Sequence, residues 1–415
     1  MTQPSTRILV LGAGIAGLLF TLRLAGKVAR EPVQITLIDE SDTFTVRPRL
    51  HEFATGQHVF RRPFLEILCK TQVQFLQGRV ISLDPSRHRI TVQDQQQHEL
   101  EYDYLVYALG SLTDRHSVPG VAEYAYSLSA SGPFSAASLR DKLPEIADRG
   151  GQVVVCGGGA TGIETAAQVA SIYPQIKVSL VSRGSFALSW DKNVADAIRR
   201  RLVSLGVEIV EQSQVGSVCV QSVVLDQGRE LGCDLCIWAG GFVVSPLARE
   251  AGMAVNERDQ VLVDPFLRSV SNPEIYAMGD AASPVEDPGV AHVRMSAFTA
   301  GIMGAHGADC VSAMLTGKTS TPLSFAYLAQ AIALGRHHAI FFPLSPDDRP
   351  RPPYIADWLG SLARVGGIRF VVTAMLAQRR LPGVFAWPGK RRYEQAQRLS
   401  LAKEELPSQP VHHHS

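Results

Sequence analysis

An α/β protein with two mainly parallel sheets is what this sequence predicts, on three observations. Gly12-Ala13-Gly14-Ile15-Ala16-Gly17 follows the apolar run Ile8-Leu9-Val10-Leu11 without a gap. Gly157-Gly158-Gly159-Ala160-Thr161-Gly162 stands 145 residues later and follows Val153-Val154-Val155-Cys156 in the same way. The composition, 46% hydrophobic and 19% charged, suits parallel strands covered on both faces. Each glycine run sits where a strand turns into a helix. Its first glycine permits the tight turn, its second lets the backbone approach a pyrophosphate, and its third lets the helix close on the sheet. Two such runs in strand–turn–helix context imply two Rossmann-like dinucleotide-binding domains, the second inserted in the first, with a C-terminal segment after them. Two dinucleotides in one chain point to flavin chemistry, in which one delivers a hydride and the other receives it.

The first unit continues through Ile35-Thr36-Leu37-Ile38, a strand ending in Asp39 and Glu40. A carboxylate there accepts hydrogen bonds from a ribose diol and repels a 2′-phosphate, which suits the ADP half of FAD. The unit closes with Tyr102 to Ser111, an apolar strand running into Ala108 and Gly110, where backbone can pass close to a ligand. Pro119-Gly120 marks the crossing into the second unit. There the strand Val178-Ser179-Leu180-Val181 ends in Ser182-Arg183, with no acid. Arg183 reads either as an ordinary exposed loop residue or as a clamp for the 2′-phosphate of NADPH. The missing carboxylate favours the clamp, and so NADPH over NADH. Residues 195–205 predict an amphipathic helix with Arg199, Arg200 and Arg201 outward. The chain returns to the first unit at Ile275 to Ala282. The predicted boundaries are 1–115 with 262–330 for the FAD-binding domain, 116–261 for the NAD(P)H-binding domain, and 331–415 for the C-terminal segment.

Charge and cysteine usage exclude several classes. Lysine plus arginine (40) balances aspartate plus glutamate (39), which offers no bulk attraction for nucleic acid. Cys233 and Cys236 have redox-motif spacing but fall on a predicted strand, where residues three apart face opposite sides, so a dithiol relay is not expected. All six cysteines, Cys156 at a strand end among them, read as structural. His412-His413-His414 is too short and terminal to argue as a metal site, and no metal is predicted. No basic region with an apolar signal core opens the chain, and no window reaches about 18 to 20 uninterrupted apolar residues. A cytoplasmic protein is expected. Residues 349–398 carry ten Lys/Arg against Asp357 and Glu394, interleaved with Trp358, Leu362, Phe370 and Trp387. Such a stretch suits the inner face of an anionic membrane as a peripheral surface, or packing on the body or on a twin subunit with its cations solvated. Gly366-Gly367 and Pro382-Gly383 are expected to interrupt any long helix there.

With both fingerprints, Gly279-Asp280 and the basic tail in place, the chain resembles the type II NAD(P)H:quinone oxidoreductases, two-dinucleotide-binding-domain flavoproteins. Asp39 followed by Phe44, Pro48, Leu50, Glu52, Ala54 and Gly56 is similar to that family's stretch after the FAD-binding acid. Ile237 to Gly241 resembles its nicotinamide-side turn, and Ile275 to Asp280 its second flavin motif. The resemblance implies FAD contacts from Gly12, Gly14, Ala16, Gly17, Asp39, Glu40, Arg47, Val80, Ala108, Gly110, Asp280, Ser296 and Ala297. It implies NAD(P)H contacts from Gly157, Gly159, Gly162, Ser182, Arg183 and Gly240. Glu164, on its own merits a first-turn carboxylate suited to a helix dipole, is implied to face the nicotinamide–flavin stack as the catalytic residue. One departure stands out: Phe298, Ile302 and Met303 occupy places where the family offers glutamines, so the acceptor pocket is expected to be apolar. The activity implied is FAD-dependent transfer of hydride from NAD(P)H and then of two electrons to a quinone. A soluble flavoprotein acting on a small aromatic metabolite, a reductase of a small electron carrier and an NAD(P)H-responsive sensor are the alternatives.

Overall fold

The structure, a computed structural model, describes residues 5–185, 190–285 and 293–389. Along the chain come β1 (Thr6–Leu11), α1 (Ile15–Lys27), β2 (Val33–Asp39), α2 (Leu50–Ala54), β3 (Gln74–Gln77) and β4 (Tyr104–Tyr107). They are followed by β5 (Ala125–Ser127), α3 (Ala136–Asp148), β6 (Gln152–Cys156), α4 (Ala160–Ile172), β7 (Lys177–Val181), α5 (Lys192–Ser204), β8 (Glu208–Val210) and β9 (Leu235–Trp238). The rest holds β10 (Ile275–Ala277), α6 (Ala297–Leu315), β11 (Ala329–Ala333), β12 (Ala339–Pro343) and α7 (Asp357–Ala377).

Two five-stranded sheets organise these elements, in the orders β10-β4-β1-β2-β3 and β5-β9-β6-β7-β8. Every pairing in them is parallel. Because β10 completes the first sheet only after the whole second sheet has been made, the second unit is an insertion in the first. A parallel strand covered on both faces needs apolar side chains in both directions. Ile8, Val10 and Leu11 of β1 and Val153 and Val155 of β6 accordingly retain no exposed surface. In each sheet the glycine-fingerprint strand is central, with the strand order reversing beside it. That reversal opens a crevice at the carboxyl ends of β1 and β4, and again at those of β6 and β9.

The two crossings between the units run side by side, Ser111–Thr113 pairing antiparallel with Phe242–Val244. The crossing therefore precedes Pro119-Gly120. Gly120 serves the packing instead, at φ +79°, where a Cβ would lie 1.8 Å from the Val218 carbonyl oxygen.

Three expectations need correcting. The helix expected over 195–205 is α5, but only Arg200 of its arginines is exposed. Arg199 pairs with Glu211 at 2.6 Å, and Arg201 donates to the Leu334 carbonyl at 3.2 Å. The cysteines are not uniformly core: Cys69 and Cys219 are exposed. Cys236 meets Cys156 across the sheet, Sγ to Sγ 3.7 Å, rather than Cys233. Most consequentially, α7 runs unbroken for 21 residues through Gly366-Gly367. Two mid-helix glycines cost about 2 kcal/mol of propensity, and tertiary packing overrides it. Gly360 fits under the Ala339 carbonyl, where a Cβ would come within 2.2 Å, so α7 lies directly on β12. By length and composition α7 is apolar enough to cross a membrane, which no uninterrupted sequence window suggested. Lys390, Arg391, Arg392, Glu394, Arg398 and the terminal histidines lie outside the described residues.

Candidate functional site

The two fingerprints build the same object twice. Gly12 (φ +93°) leaves no room for a side chain, since a Cβ would stand 2.4 Å from the Ala108 carbonyl oxygen at the end of β4. Gly157 (φ +132°) meets the Ala239 carbonyl oxygen at the same 2.4 Å, past the end of β9. A Cβ on Gly17 would strike the Gly12 oxygen at 1.9 Å, and one on Gly162 the Gly157 oxygen at 1.8 Å. Gly14 and Gly159 face open space instead. Those two are the N-caps of α1 and α4, and neither cap is closed by a side chain. Each unit thus presents bare helix-start amides over an open floor, which is the chemistry a pyrophosphate needs.

Around the first cradle, Asp39 Oδ2 accepts from the Ala13 amide at 2.6 Å and Oδ1 from the Ser41 amide at 2.8 Å. Burial raises its pKa against those two hydrogen bonds. Glu40 beside it is exposed, and Val80 packs on the core from the strand Arg79–Asp84 of a separate antiparallel sheet. Arg47 Nη1 donates to the Ser111 carbonyl at 2.9 Å and lies 4.0 Å from where a Gly110 side chain would start. Asp280 follows Gly279, which at φ +70° fits against Ala16. Its Oδ2 accepts from Ser111 Oγ at 2.6 Å, while Oδ1 is buried with no partner among the described residues. A buried carboxylate oxygen left unsatisfied is costly, and a hydroxyl-bearing chain laid along this crevice would satisfy it. FAD, with its ribityl hydroxyls and pyrophosphate, fits these residues. Ser296 caps α6, accepting from the Thr299 amide at 3.2 Å, and Ala297 opens the helix. A Cβ on Gly304 would lie 2.4 Å from the Ala16 oxygen, so α6 crosses hard against α1 and its N-terminus is held near Gly279.

Around the second cradle, Ser182 is buried and donates to the Gly184 carbonyl at 2.7 Å, while Arg183 is exposed at the crevice edge. Gly240 passes over the Trp238 ring, which a Cβ would meet at 2.5 Å.

Glu164 lies elsewhere than the helix-dipole reading had it. The helix begins at Ala160, so Glu164 is one turn in, beyond the first turn, and its carboxyl is largely buried. Oε1 accepts from the Ala333 amide of β11 at 2.9 Å and is 3.6 Å from Arg364 Nε, while Oε2 is 3.8 Å from His51 Nδ1. Burial outweighs these favourable partners and pushes its pKa up to about 7. His51, wholly buried and beside Arg364, is pushed down to about 3 and is neutral. Burial pushes Glu52 up, yet Arg49 and Arg364 more than offset this and bring it down to about 2.

His51, Glu52 and Arg364 as members of this cluster were missed by sequence reasoning, which counted Arg364 only as one of ten cations in a stretch suited either to a membrane surface or to packing with its cations solvated. Arg364 is 8% exposed. No sequence signal marked it: Arg364 stands four residues after Gly360, and only the packing of Gly360 against Ala339 shows that this helix face lies on the body. The acceptor pocket also needs correction. Ile302 and Met303 have no exposed surface and belong to the core beneath α6, because that face of the helix packs inward. Only Phe298 keeps a partly open face, against Tyr327 with ring centroids 5.8 Å apart.

Comparison with known proteins agrees with this geometry. The family described as pyridine nucleotide-disulphide oxidoreductase matches residues 6–306. A demethylphylloquinone reductase from Synechocystis is 28% identical over 359 residues, covering 82% of this chain and 87% of the relative. A type II NADH:quinone oxidoreductase from Haemophilus influenzae is 24% identical, covering 68% and 74%. Among solved structures, NDH2 from Plasmodium falciparum in complex with NADH superposes with a TM-score of 0.75 at 18% identity, over 90% of this chain and 96% of that one. Two nucleotide cradles on two parallel sheets, one unit inserted in the other, and a family match over most of the chain converge: this protein is an oxidoreductase of the pyridine nucleotide-disulphide oxidoreductase family.

Proposed function

We propose that this oxidoreductase takes hydride from NADPH or NADH and passes two electrons to a quinone, with FAD as its resident cofactor. The observation that carries the reading is the pair of open cradles at Gly14 and Gly159, together with the unpartnered Asp280 Oδ1 in the first crevice. FAD bound there supplies a ring system able to accept hydride on one side and release electrons on the other. Gly12, Gly14 and Gly17 hold its pyrophosphate, Asp39 and Glu40 its ribose, and Asp280 its ribityl chain. Ala108, Gly110, Arg47 and Val80 line its path, and the Ser296–Ala297 helix start meets its polar end. Gly157, Gly159, Gly162, Ser182 and Gly240 hold NAD(P)H, with Arg183 on the 2′-phosphate. Glu164, with its raised pKa, faces the nicotinamide side and holds or yields a proton there.

The quinone reading is supported by the two relatives, a demethylphylloquinone reductase and a type II NADH:quinone oxidoreductase. The α7 helix supports a membrane-surface location: Trp358, Leu362 and Phe370 are each more than 60% exposed, with the exposed Arg369 beside them. An apolar face of this kind with flanking cations lies in a headgroup layer. Anaerobic stopped-flow mixing with NADPH and with NADH, followed by a short-chain quinone, tests both halves. Bleaching by nucleotide and reoxidation by quinone are expected; bleaching without reoxidation would remove the quinone. Flotation with anionic vesicles tests the location. A protein that stays unbound and sediments as a dimer would assign that face to a second subunit instead.

A further inference from the structure

The buried cluster around Glu164 joins three distant parts of the chain. Glu52 of α2 accepts from Arg364 Nη1 of α7 at 2.7 Å, and its other oxygen from Arg49 Nε at 2.9 Å. Arg364 Nη2 is 3.4 Å from both the Pro48 carbonyl and His51 Nε2. Its Nε is the nearest cation to Glu164 of α4, while β11 supplies the Ala333 amide. Arg364, Glu52 and His51 are each under a tenth exposed. The groups facing Glu164 are therefore His51 and Glu52 from α2, Arg364 from α7 and the amide from β11. With Arg49 the charges balance at two cations and two carboxylates, His51 being neutral.

A buried arginine is a poor device for stability alone. Apolar side chains of like volume usually serve a helix face at least as well, and a buried cation is retained at the cost of pairing it. The rest of this face is apolar or small, with Gly360, Ala374 and Met375 buried. What the guanidinium adds is a charged connection from the C-terminal helix to a carboxyl at the meeting point of both dinucleotide units.

We propose that Arg364 is a positioning residue for hydride transfer: through it, α7 neutralises Glu52 and holds the Glu164 carboxyl charge-balanced and aimed at the nicotinamide side. The proposal rests on the reading of Glu164 given above. Through Arg364 the C-terminal helix completes the hydride site, in addition to covering the body.

The test uses the FAD-loaded protein and two readouts. Infrared difference spectroscopy titrates the protonated-carboxyl band of Glu164, assigned by its disappearance in E164Q, from about pH 5 to about pH 9. Stopped-flow bleaching by NADPH across the same range gives the kinetic midpoint. In R364M both midpoints are expected to rise by about one to three pH units, since a cation within ~4 Å is lost. In E52Q they are expected to fall, because a like charge is removed. R364K, which keeps the charge, returns them toward wild type. Should R364M fail to fold, E52Q and R364K still decide the matter. Midpoints unmoved in R364M and E52Q, with the E164Q profile flat, would overturn the role of Arg364. A band that shifts while NADPH bleaching in E164Q keeps the wild-type pH profile would instead overturn the placement of Glu164, and the role of Arg364 with it.

Discussion

Gly12 and Gly157 occupy equivalent places in two separate stretches of chain, and each is fixed by the same two facts, a positive φ and a carbonyl 2.4 Å from any Cβ. Either substitution by alanine should therefore be local in its effect. G157A is expected to yield yellow protein whose flavin is no longer bleached at ordinary NADPH concentrations, whereas G12A should purify without flavin. Absorbance of the purified proteins distinguishes them. Asp280 offers a sharper residue-scale test: D280A removes the carboxylate whose Oδ1 lacks a partner and should lose FAD, while S111A, which deletes one hydrogen bond of about 1 kcal/mol, should weaken FAD only several-fold. At the second cradle the exposed Arg183 decides between nucleotides. R183A should lower kcat/KM for NADPH roughly tenfold or more, the loss of a charge-assisted bond, and leave NADH nearly unchanged. Equal losses on both would remove the 2′-phosphate contact.

Helix α7 shows how one element answers to conflicting demands. Its exposed Gly366 and Gly367 have nothing within 4 Å of a would-be Cβ. Their replacement by alanine should stabilise the protein by about 0.5–1 kcal/mol each, through helix propensity and a less flexible unfolded chain. Gly360 is the opposite case. G360A drives a Cβ into the Ala339 carbonyl at 2.2 Å, so α7 must lift from β12, at an overpacking cost of about 1–3 kcal/mol. Thermal melting of the three variants separates the two classes. A G360A protein as stable as wild type would show that the helix seats otherwise than described.

At the scale of the molecule, the buried cluster links protonation to folding. His51 binds a proton below pH 6.5 when unfolded but only below about 3 when folded, so it makes stability rise with pH across that window. Glu52, held near 2 against 4.5 when unfolded, acts with the same sign between those values. Glu164 opposes them: raised to about 7, it makes stability fall as pH climbs from 4.5 to 7. The melting temperature should therefore drop steeply below about pH 4.5, where His51 and Glu52 act together, and be nearly flat from about 4.5 to 6.5. In H51Q that flat region should become a decline with rising pH. A persistent plateau in H51Q would mean that His51 does not balance Glu164.

Both nucleotide cradles were legible in the sequence because their physics is local. A tight turn, a helix start and a close backbone approach each demand glycine at a set spacing, and an apolar strand must precede it. The insertion of one unit in the other was legible too, from the order of fingerprints and the late Gly279-Asp280. The buried cluster was not, since Glu52, Glu164 and Arg364 are each unremarkable where they stand and become a site only when α2, α4 and α7 converge. Ile302 and Met303 were misplaced for the same reason: an apolar residue on a helix reads alike whether it faces a ligand or a core, and only the crossing of α6 on α1 decides. The sequence by itself determined the local turns and the nucleotide cradles they form. Tertiary structure alone decided which charges are buried, because desolvation depends on what packs from elsewhere in the chain.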